Sequence, residues 1–413
     1  MKNRNVIRRI VCLVLAAALL AGFAVPVRAA GSVKVSFEQI DNSAVCAKLP
    51  GRDPVELSGE QCPYADTDVV RVSIVLEKAS TIEAGYSPLN IAQNAEAMNY
   101  RDALATDQNA IVTKIERATT EELDVVWNLT LAANIISANV EYGQIETIEK
   151  IAGVKSVLIE TQYEPDVVSK READPNMATS GKQIGSSLAW ASGYTGAGSR
   201  IAIIDTGTDT EHQSFSAEGF EYSLKLQAEE AGMTLEAYME ELNLLDVEEI
   251  QAVANRLNVK IDPNKVYVNS KLPFGYNYAD DSYYITHVRD NQSEHGSHVG
   301  GIAAANAYIP EGNGVFSKAL DSVLVQGVAP DAQIITMKIF GITDGGNDSD
   351  YMAAIEDAIL LGCDAINLSI GSGNPGMARA SVAEYQAILD NQVESGVVNT
   401  ISSGNSCYWS ERA

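Results

Sequence analysis

The sequence predicts an α/β fold, a parallel-sheet domain preceded by a small α+β unit of the ferredoxin-like, split βαβ type. Three observations carry this reading. Continuous apolar runs occupy 200–205, 333–339, 364–370 and 397–402, and runs of this kind suit a parallel sheet buried on both faces. Helical patterns alternate with them, which implies right-handed crossovers. Upstream, residues 68–162 read in the order β-α-β-β-α-β. The 413 residues leave room for two or three domains at roughly 100–200 residues each. With 46% apolar and 20% charged residues, wholesale disorder is excluded, and a core of this size folds without disulfide staples.

Lys and Arg total 29 against 55 Asp and Glu, a net charge of −26. Such a chain is a poor nucleic-acid binder, because neutralising phosphate dominates that affinity. It is equally unsuited to docking on anionic lipid. It suits a soluble extracellular protein. Residues 1–29 read as a secretory signal peptide. Lys2, Arg4, Arg8 and Arg9 form the basic region, Ile10 to Val25 the apolar run, and Val27-Arg28-Ala29 the cleavage site. The run is short for a span of about 20 apolar residues, and no other stretch is apolar enough to cross a bilayer. Residues 30–67 follow as an N-terminal segment. Its Cys46 and Cys62 are spaced to pair outside the cell, and free thiols fit equally well. None of Cys46, Cys62, Cys363 and Cys407 has metal-ligand spacing.

Within 68–162, Val69 to Leu76 is rich in β-branched residues and reads as a strand. Ile91 to Arg117 reads as a long helix, and Val125 to Leu131 and Ile135 to Val140 as short strands. Tyr142 to Ile151 reads as a helix stopped by Gly153, and Val154 to Ile159 as the last strand. Residues 163–184 are expected to be a linker within a polar, exposed, loop-rich stretch running from Glu160 to Thr195.

The domain from 185 to 413 carries the candidate chemistry. Arg200 to Asp205 is an apolar strand ending in an acid, and functional residues gather at the carboxyl ends of strands in such sheets. Read alone, Asp205 is either a turn or capping residue or a catalytic carboxylate. Two of the four histidines lie in Glu294-His295-Gly296-Ser297-His298. Small residues after them predict a closely packed helix with His295 in its first turn, where the helix dipole keeps an imidazole neutral. His298 reads as a packing residue. An i, i+3 histidine pair also suits a metal, but there is no HExxH and no acid at matching helical spacing, so none is expected. Gln333 to Ile339, Asp364 to Ile370 and Val397 to Ser402 read as strands, and Met352 to Leu361 as a helix.

DTGTD at Asp205, HGSHVGGIAAAN at His295, GVAPDAQI at Gly327, AINLSIGS at Ala365 and SSGNS at Ser402 together resemble the subtilisin-like serine proteases, over about residues 185–413. PFGYNYAD at Pro273 is most similar to the large cell-envelope proteinases related to C5a peptidase and lactocepin. The resemblance implies a secreted serine endopeptidase acting on proteins or peptides. Asp205 matches the triad aspartate, His295 the general base and Asn405 the oxyanion-hole donor, in the family's order Asp, His, Ser. Ser369, Ile370 and Gly371 match the strand that pairs with extended substrate. Ser402, Ser403 and Gly404 match one wall of the pocket before the scissile bond. The α+β unit at 68–162 resembles the family's inhibitory propeptide, an intramolecular partner whose tail would lie between about Glu160 and Met177.

Three departures qualify the resemblance. The family's nucleophile sits in a GTS segment, and no GTS occurs in the 413 residues. The expectation is therefore a fragment of a longer product, inactive as it stands. The alternative is a non-catalytic pseudoprotease acting as a binding or inhibitor protein. A metal or nucleotide enzyme lacks its motifs. Second, residues 216–271 form an acidic insertion between Asp205 and His295, with helices at Leu235 to Leu244 and Val247 to Leu257. Asp246 with Glu249 gives the second a capping-box start. The insertion reads as a solvated surface, or as a contact for downstream domains or substrate. Third, Gln213 and Ser214 follow His212 where calcium-binding members carry Pro and Asp. One usual ligand is thus missing, and no calcium or other cofactor is expected. Membrane or cell-wall attachment is left open.

Overall fold

The computed structural model describes residues 64–163, 177–290, 292–342, 345–370, 385 and 396–402. The signal peptide, Cys46, Cys62, Cys407, Gly371, Ser403, Gly404 and Asn405 lie outside these, as does the middle of the expected linker. Contacts divide the chain into Met1–Glu56, which lies outside the described residues, and one compact unit, Leu57–Ala413.

The first layer is a four-stranded antiparallel sheet of β1 (Val69–Leu76), β2 (Asp124–Leu129), β3 (Ile135–Glu141) and β4 (Val154–Ile159), in the order β2-β3-β1-β4. Val70, Val72, Ile74 and Leu76 alternate along β1 and pack with Ile111, Ile115, Ile136, Ala138 and Ile148 into one core. Helix α1 (Ala95–Thr119) covers that face. Its buried positions Ala97, Met98, Arg101, Leu104, Gln108, Ile111 and Ile115 fall at spacings of three and four. The single long helix expected from Ile91 is broken near its start. The Asn94 side chain accepts from the Glu96 and Ala97 amides and so caps α1, leaving Ile91–Gln93 as a 3-10 turn. The helix expected from Tyr142 likewise opens with a 3-10 turn before α2 (Ile145–Glu149). Gly153 follows at φ +103°, where a Cβ would lie 2.7 Å from Ile111 Cδ1.

The stretch from Glu160 to Thr195 is largely exposed where described, as its polarity predicts, but it is not a plain loop. Glu160 is buried, and β5 (Gln162–Tyr163) pairs with β11 (Gly346–Asn347). Two helices follow, α3 (Met177–Ile184) and α4 (Ser186–Ala191). Gly185 at φ +82° joins them, and Trp190 Nε1 donates to Val328 O at 2.8 Å.

The second sheet is fully parallel, in the order β13-β12-β6-β10-β7. Its strands are β6 (Arg200–Asp205), β7 (Phe274–Asn277), β10 (Gln333–Lys338), β12 (Ala365–Leu368) and β13 (Val398–Ile401). Ile203 faces a core with Phe215, Leu272, Ala304 and Ile334. Ala202 and Ile204 face a larger core with Ile335, Met337, Met352 and Ile355. Helix α9 (His295–Ala304) lies on the first face and α11 (Asp348–Leu360) on the second. Helix α11 starts four residues before the sequence predicts, because the Asn347 and Asp350 side chains form a reciprocal capping box. Sequence reading also missed β7 and the hairpin of β8 (Tyr308–Gly312) and β9 (Val315–Lys318).

The insertion holds α5 (Ala217–Ala231), α6 (Leu235–Glu241), α7 (Val247–Val253) and α8 (Pro263–Val266). Helix α5 was not expected. Glu229, Glu230, Glu236, Glu240, Glu241 and Glu248 are exposed, as a solvated face requires, while Glu249 is half-buried and meets Arg200 at 3.3 Å. The insertion is not a surface addition alone. Leu245, Ile250, Val253, Leu257, Val259 and Val266 join the main core.

Helix α11 also joins the two layers. Glu356 accepts the amides of Leu131 and Ala132 at 2.8 and 2.7 Å. Asp350 accepts Trp127 Nε1 at 2.9 Å and an Arg71 guanidinium nitrogen at 3.2 Å. Asp348 accepts Thr161 N at 2.7 Å and the Tyr163 hydroxyl at 2.9 Å. Glu160 accepts from Ser73, Ser137 and Ser349 hydroxyls at 3.0, 2.7 and 2.8 Å. Asp357 turns the other way, accepting Asn258 N at 2.7 Å and Tyr278 Oη at 3.0 Å.

Removing the Glu356 carboxylate leaves buried amides without an acceptor, at about 1–3 kcal/mol each. Glu356→Ala is expected to lower unfolding stability by about 3 kcal/mol, and Glu356→Gln by less, read from denaturant midpoints. Burial pushes the Asp357 carboxyl up to about 7 from 3.8. Between about pH 4 and 7 the unfolded chain therefore releases this proton while the folded chain keeps it, so stability falls as pH rises across that window. Melting curves at pH 4 and 8 should show this loss in the native chain and a smaller one in Asp357→Asn.

Candidate active site

Asp205 is the last residue of β6 and His295 the first of α9. Register fixes the neighbourhood. Lys338 of β10 lies opposite Asp205 on one side, and Leu368 of β12 lies opposite Ile204 on the other. The carboxyl ends of three parallel strands therefore share one edge, where the chain must turn and side chains are left to face a ligand.

Glycine permits the close approach of α9 to β6. A Cβ at Gly296 would lie 2.2 Å from Gly207 O and 3.2 Å from Asp205 Cβ. Gly207 itself has φ +108°, and a Cβ there would meet Ile285 O at 2.1 Å. Thr206 adds two bonds across the junction, its hydroxyl donating to Ser293 O at 2.8 Å and accepting from Gly296 N at 2.9 Å.

The result is a side-chain pair. His295 Nδ1 lies 2.8 Å from Asp205 Oδ1 and 3.0 Å from Oδ2. The Asp205 side chain is 1% exposed and that of His295 14%. An ionised carboxylate can only accept, so Nδ1 carries the proton and Nε2 is left as the basic nitrogen. Asp205 Oδ1 also accepts Thr206 N at 2.7 Å. This is the arrangement of a general base held by a buried carboxylate. The turn-or-cap reading of Asp205 alone is thus incomplete, since its oxygens serve both a turn amide and an imidazole.

The other expected site residues divide between described and undescribed. Ser369 and Ile370 follow β12 directly and are half-buried, so Ser369 stands one residue beyond the Leu368–Ile204 pair, level with Asp205. Ser402 donates its amide to Leu368 O and its hydroxyl to Ile370 O, both at 3.0 Å. These three are brought to the same sheet edge as the pair. Gly371, Ser403, Gly404 and Asn405 lie outside the described residues. His298 is exposed, not the packing residue that its helix suggested, because α9 turns that position away from the sheet. His212 Nδ1 accepts Ser214 N at 3.3 Å. Among the described residues no cluster of three His, Cys, Asp or Glu could hold a metal, and no helix is long and apolar enough to cross a membrane.

Sequence reading passed over Lys338. Its side chain is 1% exposed, and Nζ donates to Thr206 O at 2.6 Å and lies 2.9 Å from Asp290 Oδ2. Burial pulls its ammonium below the usual lysine value, and the bond to Asp290 opposes that. The signal was present as one lysine inside the apolar run QIITMKI.

Residues 196–411 match the Subtilase family. The PI-type proteinase of Lactococcus lactis subsp. cremoris is 27% identical over 374 residues, covering 88% of this chain and 17% of that protein. Minor extracellular protease Vpr of Bacillus subtilis (strain 168) is 25% identical over 277 residues, 64% of this chain and 25% of the relative. A C5a peptidase of Streptococcus pyogenes serotype M6 is 28% identical over 213 residues, 51% of this chain and 15% of the relative. The chain thus spans a sixth to a quarter of the length of these relatives.

A methyl group at position 296 pushes α9 off the end of β6. Gly296→Ala is expected to abolish the downfield Nδ1 proton resonance of the His295–Asp205 hydrogen bond at low temperature, while far-UV circular dichroism stays near that of the native chain.

Proposed function

The chain belongs to the subtilase family, and we propose that it represents a secreted serine endopeptidase made as a zymogen. The observation that supports this best is the Asp205–His295 pair, buried at the carboxyl edge of a parallel sheet and built from two family motifs in the family's order. Asp205 holds the Nδ1–H tautomer and stabilises the imidazolium that forms. His295 Nε2 takes the proton of a serine hydroxyl as that oxygen attacks the scissile carbonyl, then returns it to the leaving amine. Asn405 donates from its side-chain amide to the oxyanion. Ser369, Ile370 and Gly371 pair with the extended substrate backbone, and Ser402, Ser403 and Gly404 wall the pocket before the scissile bond. The nucleophilic serine is not among residues 1–413, so these residues alone do not turn over peptides. Residues 1–29 direct export, and no metal takes part in the steps assigned here.

The antiparallel layer is the propeptide in this reading. Its docking on α11 supports an intramolecular inhibitor, since the Asp348, Asp350 and Glu356 carboxylates can be satisfied by water after release as well as by the layer's donors before it. Its tail is assigned to the stretch between about Glu160 and Met177, most of which lies outside the described residues. A purely binding role is the alternative, and one experiment separates them. A gene product extended through a GTS segment and freed of residues 1–176 should be labelled by a fluorophosphonate probe, its His295→Ala variant should not, and added residues 64–163 should suppress the labelling at micromolar concentration. An extended product that folds and takes no label would leave the binding role standing. Full labelling in the presence of the added unit would remove the propeptide assignment.

A further inference from the structure

Lys338 has no place in the chemistry assigned above, yet it occupies the costliest position near it. An ammonium withdrawn from water costs several kcal/mol unless it is well paired, and its same-face neighbour on β10, the buried Thr336, is engaged with the Thr208 hydroxyl at 3.0 Å. The two partners of Lys338 are informative. Thr206 O belongs to the peptide immediately after Asp205. Asp290, whose side chain is also 1% exposed, lies five residues before His295 in the loop that enters α9. One ammonium therefore ties the strand end that carries the acid to the loop that delivers the base. The Thr206 hydroxyl, the Asp205–His295 pair itself and the Ser297 hydroxyl, which accepts Asp209 N at 2.7 Å, also bond across that junction.

We propose that Lys338 is a positioning residue for the Asp205–His295 pair, clamping peptide 206 to Asp290 in the loop before α9 and placing a positive charge on the strand position opposite Asp205. This rests on reading Asp205 and His295 as the catalytic pair. The clamp works through geometry and through charge. Geometrically, it opposes the loop's drifting from β6, which would lengthen a contact now at 2.8 Å. Electrostatically, the ammonium disfavours imidazolium and so keeps His295 a neutral base near neutral pH. Other charged and titratable groups face the same space. They are Asp205 from β6, Asp280 after β7, and His287, Asp290 and Glu294 from the loop, with His287 Nε2 3.4 Å from Glu294 Oε1. Asp280 and Asp205 both act on Lys338. Lys338 is the buried cation among them, and Arg289 of the same loop is exposed and lies over the Tyr284 ring, 4.1 Å from its centroid.

The test is an imidazole titration by NMR on the 413-residue chain, which has four histidines, with His295→Gln identifying the resonance. Lys338→Met is expected to raise the His295 midpoint by about one unit, the effect of one charge several ångströms away in a protein interior. Lys338→Arg, which keeps the charge and the donors, should return it to within about 0.3 units of the native chain. A folded Lys338→Met chain with an unmoved midpoint overturns the proposal. If that variant does not fold, Asp290→Asn decides. A midpoint lowered by about half a unit supports the clamp, and an unchanged one overturns it. Asp205→Asn is the separate control. If it leaves the His295 midpoint unmoved, the catalytic-pair reading fails, whatever Lys338 does.

Discussion

The structure depends on one helix that has no free side. Every residue of α11 except Tyr351 is buried. Its Met352, Ala353, Ile355 and Ile359 pack in the main core, while Asp348, Asp350 and Glu356 point at the antiparallel layer. A carboxylate kept from water must be given donors or protons. Here the donors are backbone amides of the β2–β3 turn and of Thr161, an indole, a tyrosine hydroxyl and two arginines, Arg71 on Asp350 and Arg101 on Glu356. Burial still pushes Glu160, Asp348 and Asp350 above the ordinary carboxylate range. The seam is apolar as well. Trp127, Leu129, Leu131 and Ile135 of the antiparallel layer share one buried core with Met352 and Ile355 of α11, and the Trp127 ring lies 5.9 Å from that of Tyr278, so the layers meet through apolar contact and hydrogen-bonded carboxylates together.

At the carboxyl edge of the parallel sheet, Gly207 and Gly296 bring two backbones into contact, and Thr206 and Lys338 bond across the junction. Asp205 is pinned from three sides, by its strand register, by the Thr206 amide and by the imidazole. Such over-determination holds catalytic groups within the few tenths of an ångström that proton transfer requires. Placing the pair on a strand end and a helix start, rather than on loops, adds to that precision.

How much of this was legible follows from where the partners of each residue lie. β1, β4, β6 and the start of α9 were readable because their patterns are local. A β-branched run makes a strand, and small residues after a histidine make a helix that can sit close to a sheet. β7 was not readable, since four residues, FGYN, carry no period of their own and become a strand only beside β10. Helix α5 had a readable stripe in Phe220, Leu224 and Ala228, hidden by the acidic residues around it. Least legible was the second face of β1. Arg71 and Ser73 look like the solvated side of an edge layer, and their partners, Asp350 and Glu160, are 279 and 87 residues away. In the site, Asp205 and His295 were legible as motifs, and Lys338 was not, because its meaning lies in a loop on another part of the chain.

The placement of cations follows a related rule. In a chain of net charge −26, simple pairing would put the few basic residues on the surface among the acids, where each pair contributes little. Several instead lie inside and donate to backbone carbonyls. Arg200 reaches Leu361 O at 2.8 Å and Asn243 O at 2.6 Å. Lys271 reaches Pro330 O at 2.8 Å and Ala332 O at 2.6 Å, and burial pulls its ammonium down to about 7. Arg101 reaches Arg256 O, and Lys338 reaches Thr206 O. Each of these carbonyls sits where an irregular segment meets a regular one, and there the sheet and helix ladders supply no donor. A long cationic side chain offers several donors at the end of a flexible stem and can satisfy such carbonyls from a distance. The cost is a buried charge, which makes each junction sensitive to loss of that one residue. The interior cations are thus best understood as joints of the backbone.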